Sequence, residues 1–480
     1  MELDYEKLGL KSGLEIHQQL DTNKLFCNCP SVLRTDEPDF KITRKLHAVA
    51  GESGKIDKAA AYQASLDKEF IYQGYDTTCL IELDEEPPHE INKDALKIAL
   101  QISILLNAKI IPLTQIMRKT VIDGSNTSGF QRTVMIAKEG YVNTTHGKVR
   151  IAGIFLEEDS ARPIMREKNL AVYRLDRLGI PLVEIATYPD IKSAEHAKET
   201  ALKIGGILRS CRVKRGIGTI RQDINISLKD RQRVELKGFQ DPKIMIKTFE
   251  NEIKRQKKLI DSGNTMEAEV RNCLANGESE FLRPMPGAAR MYPETDLPLL
   301  KISRNLINEV KKNLPTLRSE TEKELKEKGL SQEMIKLLLK QNKLEEFREL
   351  TEVTDNLQLA GKILLIIPKE IATREKISII KINKILNKDV LAFVLESLKK
   401  KKISESQVKQ VLEKIVKGED LDKAIKFEKQ DSGIIEERIM KIIKEKPGLS
   451  MNAYMGLIMK EFKGKIDGKQ AMEIIQKFAK

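Results

Sequence analysis

Three consecutive carboxylates, Glu157, Glu158 and Asp159, follow an apolar run and precede Arg162. Because adjacent carboxylates repel one another, a folded chain needs a compensating group to hold them together. A divalent cation is one such group, since hard cations take oxygen ligands. The alternative is a solvated acidic turn at the end of a strand. If the strand continues through both glutamates, they face opposite sides of the sheet, and we expect one direct ligand and one supporting group.

Two further segments offer ligands for the same cation. Leu14 and Ile16 alternate with Glu15 and His17, which indicates a strand with the carboxylate and the imidazole on one face. Glu184 interrupts another apolar run, where a carboxylate either faces water or is buried with a partner. Its apolar neighbours favour the buried position. An isolated Glu-x-His is typical of a surface pair, but the three segments together favour a magnesium site of carboxylates and one imidazole.

A loop rich in glycine and hydroxyl side chains, residues 123–129, lies between two strand-like runs. Gly124 and Gly129 have the spacing that opens a P-loop, but Phe130 and Gln131 replace its Lys-Ser/Thr pair. No other stretch of the sequence completes this motif, so any use of ATP must rest on another fold. The loop is either a functional, donor-rich loop or an ordinary long turn.

Two later strand-like runs carry charged residues. Arg221, Asp223 and Asn225 share one face of the first run, and Glu235 and Lys237 lie together in the second. A face of arginine, aspartate and asparagine suits a phosphate or a sugar. The alternative is a solvated sheet face with no ligand.

The five cysteines, an odd number, do not make a disulfide framework. Cys27 and Cys29 are separated by one residue, whereas structural zinc usually takes cysteine pairs separated by two to four residues. A zinc site of Cys27, Cys29 and Cys79 with His89 as the fourth ligand can be drawn. Plain buried thiols, which behave as small hydrophobic groups, are the favoured alternative.

The 480-residue chain has a net charge of +13 and a pI of about 9.2, which favours a polyanionic partner, either nucleic acid or an anionic membrane surface. No run approaches the roughly 20 apolar residues that a membrane span needs. With so few cysteines we expect reduced thiols and a cytoplasmic protein. The lack of tryptophan favours RNA contacts through shape and backbone over stacking on aromatic rings.

The pattern of the chain changes near residue 301. Strand-like alternation dominates before it, and lysine, glutamate, leucine and isoleucine at helical spacing dominate after it. We therefore predict an α+β protein with a β-rich domain (1–300), an all-α domain (301–368) and an all-α tail (369–480). Four lysines at 399–402 lie at a predicted helix end, where the helix dipole also favours positive charge.

Five motifs resemble the GatB/GatE family, the transamidase subunits of tRNA-dependent amidotransferases. The resemblance is specific over residues 10–300 and looser over 301–480. The serine-rich loop and the Gly-Ala-Ala-Arg sequence before Met291 are more similar to archaeal GatE members than to bacterial GatB members. The motifs are Gly13-Leu14-Glu15-Ile16-His17, Lys24-Leu25-Phe26-Cys27-Asn28-Cys29-Pro30-Ser31, residues 123–133, Leu156-Glu157-Glu158-Asp159 and Met291-Tyr292-Pro293-Glu294-Thr295-Asp296.

The resemblance implies a cradle-type catalytic domain, a helical domain and a YqeY-like helical tail that binds the outer corner of tRNA. It implies a carbon–nitrogen ligase that uses ATP and magnesium to phosphorylate the γ-carboxylate of glutamate on tRNA(Gln), after which ammonia displaces the phosphate. The ammonia would come from GatD, an asparaginase-like partner in a heterotetramer of two copies of each chain. Alternatives are a GatA/GatC pair, with Asp-tRNA(Asn) as a further substrate, and a non-catalytic tRNA-binding protein.

The family motifs also imply site residues. His17, Glu157 or Glu158, and Glu184 are the implied catalytic residues and magnesium ligands, with Glu15 as a further ligand. The implied contacts to ATP or substrate are Ser125, Asn126, Ser128, Arg132, Arg221, Asp223, Glu235 and Lys237.

One departure from the family is large. Archaeal GatE members carry an inserted domain, similar to one in bacterial aspartyl-tRNA synthetases, between a basic helix and the loop that begins at Leu282. Only residues 259–281 lie there in this chain, too few for a domain. We therefore expect either a GatE-type member without the insertion or a form intermediate with GatB, and altered contacts to the tRNA.

Overall fold

The computed structural model describes residues 4–51, 54–229, 231–239, 242–341, 343–427, 432–462 and 468–478. The chain divides into two compact units, residues 1–318 and 319–480. The first unit is built on β-sheets and the second is helical, which confirms the predicted α+β class. Within the described segments, no helix combines the length and the apolar character needed to cross a membrane.

The strands all belong to the first unit. They are β1 (Lys11–Gln19), β2 (Phe40–Lys45), β3 (Glu69–Gly74), β4 (Lys109–Ile110), β5 (Leu113–Thr114), β6 (Ile116–Thr120), β7 (Phe130–Thr144), β8 (Gly147–Glu158), β9 (Arg162–Arg166), β10 (Leu170–Arg174), β11 (Pro181–Thr187), β12 (Ile220–Ser227), β13 (Val234–Phe239), β14 (Glu269–Cys273), β15 (Ser279–Pro284), β16 (Met291–Pro293) and β17 (Leu300–Lys301).

The helices are concentrated in the second unit. They are α1 (Lys58–Ala64), α2 (Lys93–Leu105), α3 (Ala194–Leu208), α4 (Pro242–Asp261), α5 (Arg304–Lys312), α6 (Arg318–Glu327), α7 (Gln332–Gln341), α8 (Leu344–Val353), α9 (Leu357–Leu365), α10 (Ile367–Glu375), α11 (Ile379–Ile385), α12 (Lys388–Lys399), α13 (Glu405–Val416), α14 (Leu421–Ala424), α15 (Ser432–Glu445), α16 (Met451–Glu461) and α17 (Gly468–Phe478).

The main sheet of the first unit has the strand order β15-β14-β13-β12-β1-β11-β8-β7-β6-β16, with β4 also paired to β7. Its neighbouring strands are antiparallel except β13 and β14. The first strand of the chain, β1, lies inside the sheet, where His17 is opposite Glu184 of β11 on one side and Arg221 of β12 on the other. Segments that are far apart in sequence therefore meet around β1.

Alternation along these strands separates an apolar face from a polar face. On β1 the side chains of Leu14 and Ile16 belong to the buried core, whereas Glu15 and His17 lie on the opposite face. Helices α2, α3 and α4 cover the apolar face through contacts with β1, β7, β8, β12 and β13. Burial of the apolar face thus fixes the orientation of these strands, and their charged side chains lie on the opposite face.

A smaller sheet, β2-β3-β10-β9, supports the loop at residues 123–129. The buried hydroxyls of Tyr72 and Tyr173 donate to the backbone carbonyls of Gly124 and Asp123, each at 2.8 Å. Gly124 has φ +85°, and a Cβ atom at this position would lie 2.2 Å from the Phe70 ring. Glycine is required here because both the backbone conformation and the space exclude a side chain.

The helices of the second unit form two hydrophobic cores. Residues 325–425 contribute to the first core, which includes Leu338, Phe347 and Leu412, and residues 435–475 contribute to the second. Because residues on both sides of position 368 share the first core, packing does not separate the predicted domain 301–368 from the start of the predicted tail. The three-domain division stays a prediction.

Candidate active site

Three side chains from different strands converge on the polar face of the main sheet. His17 of β1, Glu157 of β8 and Glu184 of β11 each offer a metal-ligating atom, and these atoms lie within 4.8 Å of one another. Strand pairing causes the convergence, because Glu184 is opposite His17, and Leu182 of the same strand is opposite Glu157. The structure therefore brings together the three residues that the sequence grouped, and their metal-binding role stays a prediction.

Lys119 of β6 compensates the charge of both glutamates. Its Nζ atom lies 2.6 Å from Glu157 Oε1 and 3.5 Å from Glu184 Oε2. Burial lowers the pKa of Lys119, but the two carboxylates outweigh it and leave the pKa raised. Gln131 and Thr133 donate to the two oxygens of Glu157 at 2.9 and 2.8 Å. Both oxygens of Glu157 are thus held in place.

The two carboxylates of the cluster differ in acidity. Burial and the neighbouring Glu184 carboxylate raise the pKa of Glu157. Burial also raises the pKa of Glu184, but Lys119 and His17 outweigh this effect and hold it well below its ordinary value. Like charges at close range disfavour joint ionisation, and a nearby opposite charge favours it. Of the two carboxylates, Glu184 is therefore the one whose ionised form the cluster favours.

The hydrogen bonding of the His17 imidazole bears on whether the site fits a metal ion. Its Nε2 atom lies 3.2 Å from Glu184 Oε2, whereas its buried Nδ1 atom has no hydrogen-bond partner among the described residues. Buried polar atoms are almost always paired, so this nitrogen calls for a ligand or a water. Glu15 and Asp223 form a second group with His17, again within 4.8 Å. Carboxylates beside an unpaired imidazole nitrogen fit a divalent cation such as magnesium.

The predicted contact residues of β12 and β13 form an ion network beside His17. Asp223 accepts from Lys237 Nζ and from the backbone N–H of Gly238, both at 3.0 Å, and lies 3.9 Å from Arg221 Nε. Burial raises the pKa of Asp223, but Lys237 and Arg221 outweigh it and lower the pKa to about 2. Lys237 also pairs with Glu235. Contacts of this network with ATP or the acceptor end stay a prediction.

Glu158 lies on the opposite face from Glu157, as strand alternation requires. Its Oε2 atom accepts from the backbone N–H of Arg132 at 3.1 Å. Arg132 Nε in turn donates to the buried Glu294 at 2.8 Å, and Arg118 pairs with the same carboxylate. Glu158 therefore lies outside both ligand groups and supports Arg132, and the role of Glu157 as the direct metal ligand stays a prediction.

Asp159 lies just past the end of β8 and ties the neighbouring segments together. Its Oδ2 atom accepts from Gln19 Nε2 at 2.6 Å and lies 3.8 Å from Arg177 Nε. Its backbone N–H donates to Ile180. The third carboxylate of the acidic run thus connects β1 with the segment before β11.

The hydroxyl groups of the 123–129 loop bond mainly to the loop and its neighbours. Ser125 Oγ and Ser160 Oγ both donate to Asn126 Oδ1 at 3.3 Å, and Ser128 Oγ donates to the carbonyl of Phe130 at 3.0 Å. Ser125 and Asn126 are buried. The loop is an ordered polar element, and its contact with substrate stays a prediction.

Cys27, Cys29 and Cys79 also converge, as the sequence allowed. The fourth potential ligand beside them is Glu82, whereas His89 lies outside the group. Cys27 Sγ donates to Glu82 Oε1 at 2.8 Å, and Glu82 Oε1 lies 3.2 Å from the buried ammonium of Lys24. Glu82 lies at the thiols instead of His89 because the turn at residues 80–84 brings its carboxylate back to Cys79. Whether these thiols bind zinc or are plain buried groups stays a prediction.

Three charged residues of the site were not predicted from the sequence. Lys119 pairs with Glu157 on one face of β8, and Glu294 pairs with Arg132 on the other. Glu82 lies with the three cysteines. Glu294 lies in a family motif and could have been chosen on that ground. The roles of Lys119 and Glu82 depend on partners that are distant in sequence, so local patterns could not assign them.

Comparisons with known proteins cover the segment that contains this site. The family model described as the GatB/GatE catalytic domain matches residues 10–308. The E subunit of glutamyl-tRNA(Gln) amidotransferase from Methanocaldococcus jannaschii is 36% identical to this chain over 99% of both chains. The proteins of the same name from Methanococcus maripaludis strain C7 and Archaeoglobus fulgidus are 41% and 33% identical, with at least 99% of each chain covered.

The alignment lengths also bear on the predicted missing insertion. The alignment with the Methanocaldococcus jannaschii protein spans 631 positions, 151 more than the 480 residues of this chain. Relatives of this length therefore contain residues without a counterpart here, and only residues 262–268 lie between α4 and β14. The family match and the full-length similarity lead to one conclusion: the chain belongs to the GatB/GatE family.

Proposed function

We propose that this protein is the transamidating subunit of a glutamyl-tRNA(Gln) amidotransferase and converts Glu-tRNA(Gln) to Gln-tRNA(Gln) with ATP. The observation that carries the proposal is the cluster of His17, Glu157, Glu184 and Lys119 on the polar sheet face, inside the family-matched segment. Phosphoryl transfer needs positioning and charge stabilisation more than a protein nucleophile. A rigid, charged sheet face supplies both.

The reaction has two steps. An oxygen of the glutamate γ-carboxylate attacks the γ-phosphorus of ATP, and ADP leaves. Ammonia then attacks the acyl carbon, inorganic phosphate leaves with the former carboxylate oxygen, and the nitrogen loses a proton to phosphate or solvent. The products are Gln-tRNA(Gln), ADP and phosphate.

The residues of the polar face have separate roles in this proposal. His17, Glu157 and Glu184 would hold magnesium, with Glu15 beside them, and the ion would neutralise phosphate charge when bound. Lys119 favours the ionised forms of Glu157 and Glu184 and holds them in place. Arg221 of β12 and Lys237 of β13 would contact phosphate groups, although in the unliganded chain both lie beside Asp223. On the other face, Glu158 positions Arg132.

Ammonia is proposed to come from a partner subunit. An asparaginase-like GatD subunit, paired two-by-two with this chain, is the first candidate because the full-length relatives are named as E subunits, the GatE type. A GatA/GatC pair is the second. Co-purification from the native cell would identify which partner binds.

An assay with ammonium chloride tests the proposed chemistry without the partner. We expect the purified chain with magnesium, ATP and Glu-tRNA(Gln) to form Gln-tRNA(Gln), measured by separation of the amino acids released from the tRNA. An equimolar amount of ADP should form with it. Omission of ATP is the control and should abolish the product. The chain could instead bind Glu-tRNA(Gln) stably but form no Gln in an ATP-dependent reaction, either with ammonium or with the co-purified partner. That result would favour the non-catalytic tRNA-binding protein.

We also propose that the last part of the predicted tail, residues 432–480, binds tRNA. Helices α15, α16 and α17 form a core of their own, and residues 432–480 contain ten lysines and arginines against six carboxylates. A basic helical surface with few aromatics suits contacts with the phosphate backbone.

A chain that ends at Phe427 tests this role because the cut leaves the first helical core intact. We expect about tenfold weaker tRNA binding near physiological salt and a shallower dependence of binding on salt, since fewer counterions are released. Exchange of the exposed Lys441, Lys444 and Lys446 for glutamine in the full chain should reproduce part of the change. An unchanged salt slope in both proteins would remove the tail from the interface.

A further inference from the structure

We propose that Arg283 and Arg290 form a binding site for the phosphate groups of ATP on the polar face of the main sheet. Arg283 lies in β15, and Arg290 ends the short turn that precedes β16. Both side chains are partly exposed, and neither guanidinium has a hydrogen-bond or ion-pair partner among the residues that the structure describes. The proposal rests on the proposed function for its ligand and adds two residues to the predicted contacts with ATP.

The strand register places Arg283 on the same face as the candidate active site. One residue from each of the strands β12 to β15 forms a row of directly opposed positions: Asn225, Glu235, Val270 and Arg283. Opposed residues in neighbouring strands point to the same face of a sheet. At the other end of the row, Asn225 donates to Glu15 Oε1 at 3.0 Å. Arg283 therefore lies on the polar face.

The connection from β15 to β16, residues 285–290, joins the two ends of the sheet. These strands are the first and last of a path of ten strands. A flat sheet of this kind would be about 43 Å wide, with neighbouring strands about 4.8 Å apart. The chain from Pro284 to Met291 spans at most about 25 Å. The sheet must therefore curve until its two edges approach each other, and the connection bridges the gap.

Arg290 lies close to both edges of the sheet. The next residue, Met291, is opposite Lys119 in the pairing of β16 with β6, and Arg290 acts electrostatically on Lys119. Burial lowers the pKa of Arg283, the Glu235 carboxylate opposes this shift, and the Arg290 guanidinium adds to it. The two unpaired arginines are thus neighbours, and they lie between the ion network of β13 and the ammonium of Lys119.

Hydrogen bonds and a proline hold the connection in place. The backbone N–H of Gly287 donates to Asp57 Oδ2 at 2.7 Å, and the backbone N–H of Met285 donates to the carbonyl of Ala268 at 3.0 Å. Pro286, between these two anchors, has a fixed φ angle. Both ends of the site are therefore ordered before a ligand binds, which lowers the entropic cost of binding.

The free charges favour a chain of phosphate groups as the ligand. A partly buried charge without a partner is costly, so the two guanidinium groups call for an anion. Arginine presents a planar fork of donors that fits phosphate oxygens. A single carboxylate would need only one such fork, whereas the triphosphate of ATP offers several anionic groups to both arginines. The phosphates of the tRNA acceptor end share this chemistry, and the experiment separates the two sources.

Binding of ATP to the full chain tests the proposal. We expect Arg283→Gln and Arg290→Gln each to weaken the binding of magnesium-ATP by roughly 10- to 100-fold, the usual effect of losing hydrogen bonds from a charged group. Isothermal titration calorimetry measures the affinity, and inorganic tripolyphosphate should show the same loss. Arg290→Lys should recover part of the affinity, because it keeps the charge but lacks the fork.

Arg304→Gln is the matched control. Arg304 is exposed on α5, which packs against α2 and therefore belongs to the side of the sheet that carries the apolar core. Its exchange should leave the affinity for ATP within a factor of about two.

Thermal unfolding separates a binding role from a structural one. Because neither arginine has a partner in the folded chain, both glutamine variants should unfold within about 2 °C of the unsubstituted chain. A lower midpoint together with unchanged ATP affinity would overturn the proposal and assign the arginines a structural role.

The tRNA arm of the experiment uses the same variants. Unchanged ATP affinity in both glutamine variants, with a raised Kd for tRNA, would overturn the proposal in favour of tRNA phosphates. Failure of the proposed function is a different result: the unsubstituted chain would bind ATP through the arginines but form no Gln-tRNA(Gln). A folded chain that binds no magnesium-ATP, either alone or with tRNA, would overturn both.

Discussion

Glu184→Gln is expected to lower kcat for ATP-dependent Gln-tRNA(Gln) formation by roughly 10²–10³-fold, the usual loss when a group that stabilises transition-state charge is removed. Glutamine keeps the volume of the side chain but removes the negative charge that faces His17 and Lys119. Glu157→Gln should behave in the same way. Initial rates at saturating ATP, magnesium and tRNA measure the effect, and the Kd for tRNA should change by less than about threefold.

Glu139→Gln is the matched control. Glu139 lies on β7, is exposed and pairs only with lysines on the surface in the contacts described. Its exchange should leave kcat within a factor of about two, since surface pairs contribute little. Full activity of both Glu157→Gln and Glu184→Gln, with the control equally active, would remove the catalytic assignment of the cluster.

Lys119→Met is expected to destabilise the chain in the absence of magnesium by roughly 3–5 kcal/mol, because two buried carboxylates lose their shared cation. Methionine retains much of the apolar stem of lysine, so the loss reports on charge. Magnesium should recover part of the stability, since binding to the native state adds about 2.7 kcal/mol at 100 times Kd. Denaturant unfolding with and without magnesium measures both quantities.

Lys138→Met provides the comparison for this effect. Lys138 lies on β7, is exposed and is 3.7 Å from Glu139. We expect a change in unfolding free energy within about 0.5 kcal/mol and the same response to magnesium as the unsubstituted chain. Magnesium could also stabilise Lys119→Met no more than it stabilises the unsubstituted chain. In that case Glu157 and Glu184, the carboxylates beside Lys119, are not the cation site.

Local sequence patterns predicted much of the fold and the strand faces of several candidate site residues. The alternation of Leu14 and Ile16 with Glu15 and His17 predicted both the strand and its polar face, because side-chain direction in a strand depends only on sequence position. The same reason placed Glu157 and Glu158 on opposite faces.

Local patterns could not predict which side chains lie next to these residues in the folded chain. Which of the two glutamates joins His17 depends on the pairing of β1, β11 and β8, and Lys119 reaches them only because β6 pairs with β7. Likewise, the first helical core ends at Ile425 and the second begins at Ile435. This boundary depends on which apolar helix faces pack together, so the change in composition near residue 301 could not predict it.

The α+β class, the polar faces of strands such as β1 and β12, and the family motifs could all be predicted from the sequence, since these depend on local alternation and residue identity. The positions of Glu157 beside His17 and Glu184, of Glu158 beside Arg132 and of Glu82 beside the cysteines follow instead from the tertiary structure. The physical reason is that charge compensation and metal coordination act across a few ångströms of space. Strand order and register bring about that proximity, and both are properties of the whole sheet.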